Sequence, residues 1–411
     1  MVQSLANFDN ALKDFYGPGL KNALNDSNPV LSQVARDKEN IQGRKAVWAV
    51  QTGRSTSTGA RAELATLPTA DRQRFIQPSD TLAYLYHTIK VSGQAKHLTQ
   101  NDRGSFARAL EVEIKGAERD LKLDLARQMF NRAMTIDSRV INGAIARVND
   151  ASPSSPLAVN DLDGSTTLPS SIMRHFFVNM QVDFVTPATG AITRVAEPIT
   201  AIDAANRTLS FDTLTSVADN DVIFRTGNFT TDAVDSEING LGFLVGSQDY
   251  AGITVSSNPA WAALTAGSAT TGISETLIDQ AVEAVETDGN GDSPSLFVAE
   301  HAQRRKLASQ MQAQKRYTNE VTLKAGWKGL ELARGTLVVD RFCPSTSIFA
   351  LTPSSLGWFV GLDWTWDEDD GKVLFKNATT DAIEARYKGY MNLECYERNA
   401  NCIITAVEPT F

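Results

Sequence analysis

Residues 101–133 read NDRGSFARALEVEIKGAERDLKLDLARQMFNRA, and within them Phe106, Leu110, Ile114, Ala117, Leu121, Leu125 and Met129 recur every three or four positions. That spacing gathers all seven on one face of an α-helix. Asn101 or Asp102 can cap its start, because a short side-chain oxygen accepts an otherwise unsatisfied first-turn amide, and no proline interrupts the segment. Some thirty residues at about 1.5 Å each predict a rod of roughly 45 Å. A rod with a single apolar stripe needs something long and flat to lie against, such as a sheet.

Upstream, residues 45–52 (KAVWAVQT) and 81–91 (TLAYLYHTIKV) read as strands, with Leu82, Tyr84 and Tyr86 taken as one face of the second. Between them, residues 53–78 are rich in Ser, Thr, Ala and Arg and carry too little apolar surface to hold themselves in a core, so the pair predicts a projecting hairpin. Its excursion carries Arg54, Arg61, Arg72 and Arg74 against Glu63 and Asp71. In a chain of net charge -9 this local excess is either a solvated loop or a surface attracted to another subunit. Residues 1–44 read as an arm, loosely helical and then polar.

Downstream of Pro153 and Pro156 the period changes from 3.6 to 2. In residues 178–184 (VNMQVDF), Val178, Met180, Val182 and Phe184 face one way and Asn179, Gln181 and Asp183 the other. With further strands at 207–211 and 221–226, residues 156–229 predict a small antiparallel β module inserted into a larger body. From about residue 272 both periods mix: helices at 273–286 and 300–314, and strands at 295–299, 335–340, 347–351, 373–377, 382–387 and 402–407. The fold class is α+β, without the regular alternation of a doubly wound sheet.

Composition narrows the function classes. At 411 residues and 42% hydrophobic content the chain can bury sizeable cores, no stretch reaches the roughly 20 apolar residues of a membrane span, and the first residues do not form a signal peptide. Cys343, Cys395 and Cys402 lack zinc or disulfide-framework spacing and read as reduced thiols. An acidic balance argues against a broad nucleic-acid grip, and Arg304, Arg305, Lys306, Lys315 and Arg316 read as the polar face of a helix because no aromatics are interleaved to stack bases. No phosphate loop, dinucleotide fingerprint, nucleophile elbow or zinc-protease helix is present, and His87, His97, His175 and His301 read as strand or surface residues. Asp288, Asn290 and Asp292 alternate as in a calcium loop, but Ser293 and Ala299 replace the required Gly and Glu, leaving an Asx-rich turn. Asp363, Asp367, Glu368, Asp369 and Asp370, interleaved with Trp364 and Trp366, are a solvated loop, a cation site or an acidic docking surface for a basic neighbour. No catalytic residue, cofactor or metal ligand is assigned.

The order of parts, together with the phrases INGLGFLVGSQDYAGITVSSNPAW (238–261), LVVDRFCPSTSIFALTPSSLGWF (337–359) and GYMNLECYERNANCIITAV (389–407), resembles the major capsid proteins of tailed bacteriophages, the Hong Kong 97-type fold, over essentially the whole chain. The resemblance implies an N-arm (1–44), an extended E-loop (45–91), a P-domain with a spine helix (92–155), an inserted β domain (156–229), a connector (230–271), an A-domain (272–388) and closing P-domain strands (389–411). It implies a virion shell subunit, assembled in the host cytoplasm into pentamers and hexamers, and not an enzyme. Expected partners are other copies, a portal, decoration proteins, a separate scaffolding protein if any, and enclosed double-stranded DNA held without sequence readout. The family's Lys–Asn cross-link is not expected, since the loop has no lysine between Lys45 and Lys90. An encapsulin-like compartment shell is the alternative within the fold; a hydrolase or a secreted adhesin is the alternative outside it.

Overall fold

The computed structural model of the chain describes residues 28–94, 103–137, 139–162, 171–230, 237–267, 271–289, 292–313, 320–322, 328–332, 334–368, 372–376, 379–405 and 407–408. Helix α1, Arg103–Gln128, is the predicted rod. Ile114, Ala117, Leu121 and Leu125 are buried, and Met129 continues the stripe just beyond it. The side chains of Phe106 and Leu110 and the expected cap at Asn101 or Asp102 lie outside what is described. The helix stops at Gln128 rather than Ala133 because another segment closes across its end: Leu241 N donates to Met129 O at 2.7 Å. The approach is so close that a Cβ on Gly240 would stand 2.3 Å from Asn131 N, so only glycine fits.

α1 lies on a sheet whose centre is the 14-residue strand Ala382–Cys395. Antiparallel partners flank it, Ala83–Ser92 on one side and Leu356–Trp366 on the other, with Ala35–Asp37 added in parallel beyond. Ile89 is buried with the α1 stripe, and His87 sits near the α1 carboxylates Asp120 and Asp124. The pleat therefore sends Tyr84 and Tyr86 to the opposite face, 44% and 56% exposed. Leu82 is buried even so, because the chain breaks there between strands Ser79–Thr81 and Ala83–Ser92.

A second, seven-stranded sheet runs in the order 264–266, 402–404, 348–351, 296–299, 335–339, 328–332 and 320–322. One face, with Val298, Phe349 and Ile403, joins the core under α1; the other, with Phe297, Ala299, Ile348 and Ala350, is covered by α2, Glu275–Asp288, and α3, His301–Ala313. Two memberships differ from the boundaries read in the sequence. Residues 356–366 and 382–388, expected with the 272–388 unit, lie in the α1 sheet, since Ala382–Cys395 runs unbroken through residue 388. Cys402–Ile404, expected with the closing strands, lies in the seven-stranded sheet.

The β module is a closed six-stranded barrel, with strands Ala144–Val148, Leu157–Asn160, Gln181–Val185, Ile192–Asp203, Thr208–Phe211 and Val222–Arg225. Its first strand precedes the prolines that opened the module in the sequence reading, and Ala144–Val148 pairs antiparallel with Val222–Arg225. Met180, Val182 and Phe184 point inward as predicted, but Val178 is exposed because the strand begins only at Gln181. Asp183, expected outside, is buried and accepts from Ala196 N, Thr226 Oγ1 and Gly227 N, so its carboxylate fastens neighbouring backbone. Arg225 reaches back to Asp124 of α1 at 2.9 Å.

Two buried polar groups tie the body together. Arg398, 0% exposed, donates to the carbonyls of Leu244, Gln248 and Gly246 and covers the Tyr250 ring. Glu394 accepts from the Tyr250 hydroxyl, and Asn239 Nδ2 bridges it to Asp80 on the strand at the hairpin's root (3.4 Å and 2.8 Å). Burial, then the nearby Asp80 charge, pushes the Glu394 carboxyl well above the usual 4.5, and burial raises Asp80 as well.

Truncating Leu125 to Ala is expected to lower the unfolding free energy by about 2–5 kcal/mol in urea titrations, as a cavity opens under α1. Glu394 also makes stability depend on pH. The folded chain holds a proton that the unfolded chain releases near pH 4.5, so this stabilisation is complete below that value and is lost as pH rises through the folded-state pKa. Glu394→Gln, which keeps an oxygen for Tyr250, is expected to flatten that decline in denaturation curves taken at fixed ionic strength.

Candidate functional site

Strands Val50–Gly53 and Arg74–Ile76 pair antiparallel and carry residues 54–73 out from the body. Polar bonds, not a core, shape this tip. Thr56 N and Oγ1 both donate to Asp71 Oδ2 at 2.9 Å, and Gln51 Nε2 donates to Gln73 Oε1 at 2.8 Å. These bonds, the Thr56 backbone amide first, hold the Asp71 carboxyl below its ordinary range. Arg54, Arg61, Arg72 and Arg74 are all exposed. Arg61 curls back, Nε donating to Thr66 O at 3.0 Å and Nη1 to Ala60 O at 2.9 Å, and so organises the loop.

The sequence reading missed the apolar side chains on the same projection. Leu64 is 102% exposed, Leu67 78%, Phe75 64% and Ile76 37%. Isolated in a polar tract, they have no periodicity to betray them; their signal is only that large apolar residues stand where nothing among the described residues covers them.

The acidic run begins on a strand and continues past its end: Asp363 lies within Leu356–Trp366, and Asp367 and Glu368 follow it. Residues 356–366 form a strand, so Trp364 and Trp366 turn inward, where Trp364 stacks on Tyr387 at 5.9 Å, while Asp363 and Asp367 turn outward. Asp367 accepts from Lys388 Nζ at 2.6 Å, a bond that raises the lysine's pKa, and Asp363 lies 3.8 Å from Arg36 and 3.9 Å from Lys38. Glu368 is exposed; Asp369 and Asp370 lie outside the described residues. The hairpin arginines make no ion pair with this strip among the described residues.

Beside Asp367 and Lys388 the outer face of the sheet carries Tyr84, Tyr86 and Tyr390. The Tyr84 and Tyr390 rings meet edge to face at 4.9 Å, and Tyr86 Oη donates to Tyr390 Oη at 3.3 Å. That bond, then burial, pushes Tyr86 up to about 12. A row of tyrosines bordered by Lys388–Asp367 and by Lys90–Glu384 at 3.5 Å offers amphipathic contact area with charge at its rim.

No reactive constellation accompanies these surfaces among the described residues. His175, expected on a strand or at the surface, is half-buried in the turn Ser171–His175 with its ring stacked on Phe342, and desolvation of that ring pushes it down to about 3. Asp288 ends α2 with Gly289 as its cap, and Asn290 lies outside the described residues. No three His, Cys, Asp or Glu side chains stand together to hold a metal ion, and no helix is long and apolar enough to cross a membrane, among the described residues.

Comparison with solved structures finds similarity to the cyanophage A-1(L) capsid asymmetric unit (11% identity, 92% of each chain, TM-score 0.48). The capsid of a native GTA particle is similar at 11% identity, over 93% of this chain and 90% of that one, with TM-score 0.44. The holo-SrpI encapsulin of Synechococcus elongatus PCC 7942 gives 9% identity, 93% and 89% coverage, and TM-score 0.41. Comparison with curated proteins returns no match. The sequence profile described as SU10 major capsid protein matches residues 16–408, from the arm through the last described strand. The chain belongs to the SU10 major capsid protein family.

Proposed function

We propose that this structural capsid subunit builds an icosahedral, Hong Kong 97-type phage head without catalysis. Copies join as pentamers and hexamers, and the head encloses double-stranded DNA by confinement. The single observation that carries the reading is a hairpin tip preshaped by its own polar bonds whose large apolar side chains are exposed and find no cover among the described residues.

In this reading the tip lies across a neighbouring subunit. Leu64, Leu67 and Phe75 bury there, each worth about 1.5–3 kcal/mol on leaving water. Arg54, Arg72 and Arg74 meet acidic rims such as Asp367, Glu368, Asp369 and Asp370, which aligns the contact and speeds encounter more than it adds affinity. The row of Tyr84, Tyr86 and Tyr390 is the surface whose chemistry suits the tip. Portal, scaffolding and decoration proteins are the further partners, and the host cytoplasm the place of assembly.

Deleting residues 56–74 tests the clasp. The tip buries little of its own surface, so the shortened subunit is expected to melt within a few degrees of the full chain yet yield no closed particles by negative-stain electron microscopy or sedimentation. Normal particles from the deleted chain would reject it.

A further inference from the structure

The two helices that cover the outer face of the seven-stranded sheet carry opposite charge. α2 contains Glu275, Asp279, Glu283, Glu286 and Asp288 and no Lys or Arg; α3 contains Arg304, Arg305 and Lys306 and no Asp or Glu. Glu283, Glu286 and Asp288 are exposed and Asp279 is half-buried; Arg304 and Arg305 are exposed. Each helix turns its apolar stripe to the same sheet face, α2 through Leu277, Ile278, Ala281, Val282 and Val285, and α3 through Leu307 and Met311. The exposed Glu283, Glu286, Asp288, Arg304 and Arg305 therefore point away from the core, while Lys306 Nζ lies against Gly272, just before α2 of the same chain.

The helices also occupy different flanks. α2 packs over strands Leu264–Ala266 and Cys402–Ile404, first and second in the sheet order, and α3 over Gly335–Val339, the fifth. At about 4.8 Å per strand their seats are separated by roughly 15 Å. Glu286 is engaged by Arg334 at 3.0 Å, but Asp279 and Glu283, one turn apart on the outward side of α2, face away from the sheet.

We propose that α2 of one copy docks against α3 of the next, so that the acidic and basic flanks mate head to tail around a ring. The occupant of each face is a second copy of this chain. This deepens the capsid reading, on which it rests, by naming the surfaces that close a capsomer. A two-fold contact brings identical patches together and would set α2 against α2, acid against acid; a head-to-tail contact uses two different patches and closes into a ring. Opposite signs on opposite flanks favour the second and oppose the first.

Charge reversal tests this on the full chain. Asp279→Lys with Glu283→Lys puts basic side chains at the contact positions of both helices; Arg304→Glu with Arg305→Glu puts acidic ones at both. Each pair of changes alone is expected to leave a folded subunit, judged by circular dichroism and melting temperature, that sediments as a monomer and forms no particles. All four changes in one chain restore the complementarity with its sense inverted and are expected to restore rings. Mixing the two singly reversed subunits is the sharper test. They can only alternate, so even-membered rings such as hexamers form, five-membered rings do not, and electron microscopy shows tubes or open sheets in place of closed shells.

Particles from either singly reversed subunit as abundant as wild type would overturn the pairing, as would folded four-change subunits or mixtures that stay monomeric. If the α3 reversal lowers packaged DNA while particle number is unchanged, the basic face serves nucleic acid and the pairing is likewise overturned. Each of these leaves the capsid reading standing, whereas wild-type subunits that never form particles would remove that reading itself.

Discussion

The structure depends on one mismatch of shape: a 26-residue helix with a single apolar side must be covered along about 39 Å, and only extended strands are long enough to do it. The 14-residue strand Ala382–Cys395 and the 10-residue strand Ala83–Ser92 meet that demand. The hairpin begins where Ala83–Ser92 begins, and its root is tied to the body through Asp80, Asn239 and Glu394. The projection is thus anchored to the same platform that holds the rod. A force on the tip passes into the helix sheet through buried hydrogen bonds and not through a loose tether.

Periodicity carried most of what could be read from the residues alone. The stripe through Ile114, Ala117, Leu121, Leu125 and Met129, the alternation of Met180, Val182 and Phe184, and both helices over the second sheet were legible because each element buries one side of a regular repeat. Reading failed where a side chain's partner is distant in sequence. Asp183 looks solvent-facing until Ala196, Thr226 and Gly227 are folded around it, and Trp364, read as part of the acidic run, looks exposed until Tyr387 is seen beneath it. Membership of the two sheets was equally hidden, since nothing local distinguishes Cys402–Ile404 from the strand before it.

The candidate surfaces were half legible. An arginine excess on a polar excursion is visible in composition, whereas the exposed Leu64, Leu67 and Phe75 become meaningful only once their lack of cover is seen. Leu82 was read on one side with Tyr84 and Tyr86, but a break in the chain at Leu82 buries it while the two tyrosines stay exposed. Buried ionisable groups follow the same logic: Arg398 and Glu394 are unremarkable letters in the chain, yet Arg398 holds backbone carbonyls, and Glu394 holds side chains, from elements some 150 positions away.

The barrel's incoming strand, Ala144–Val148, and outgoing strand, Val222–Arg225, are hydrogen-bonded neighbours. The surrounding body therefore sees the same narrow gap whether the intervening chain is long, short or of another architecture. A module held at adjacent ends, and closed so that it offers no loose edge for stray pairing, behaves as a cassette. Descendants of this chain are free to swap it, shrink it or elaborate it while the geometry of the container stays untouched.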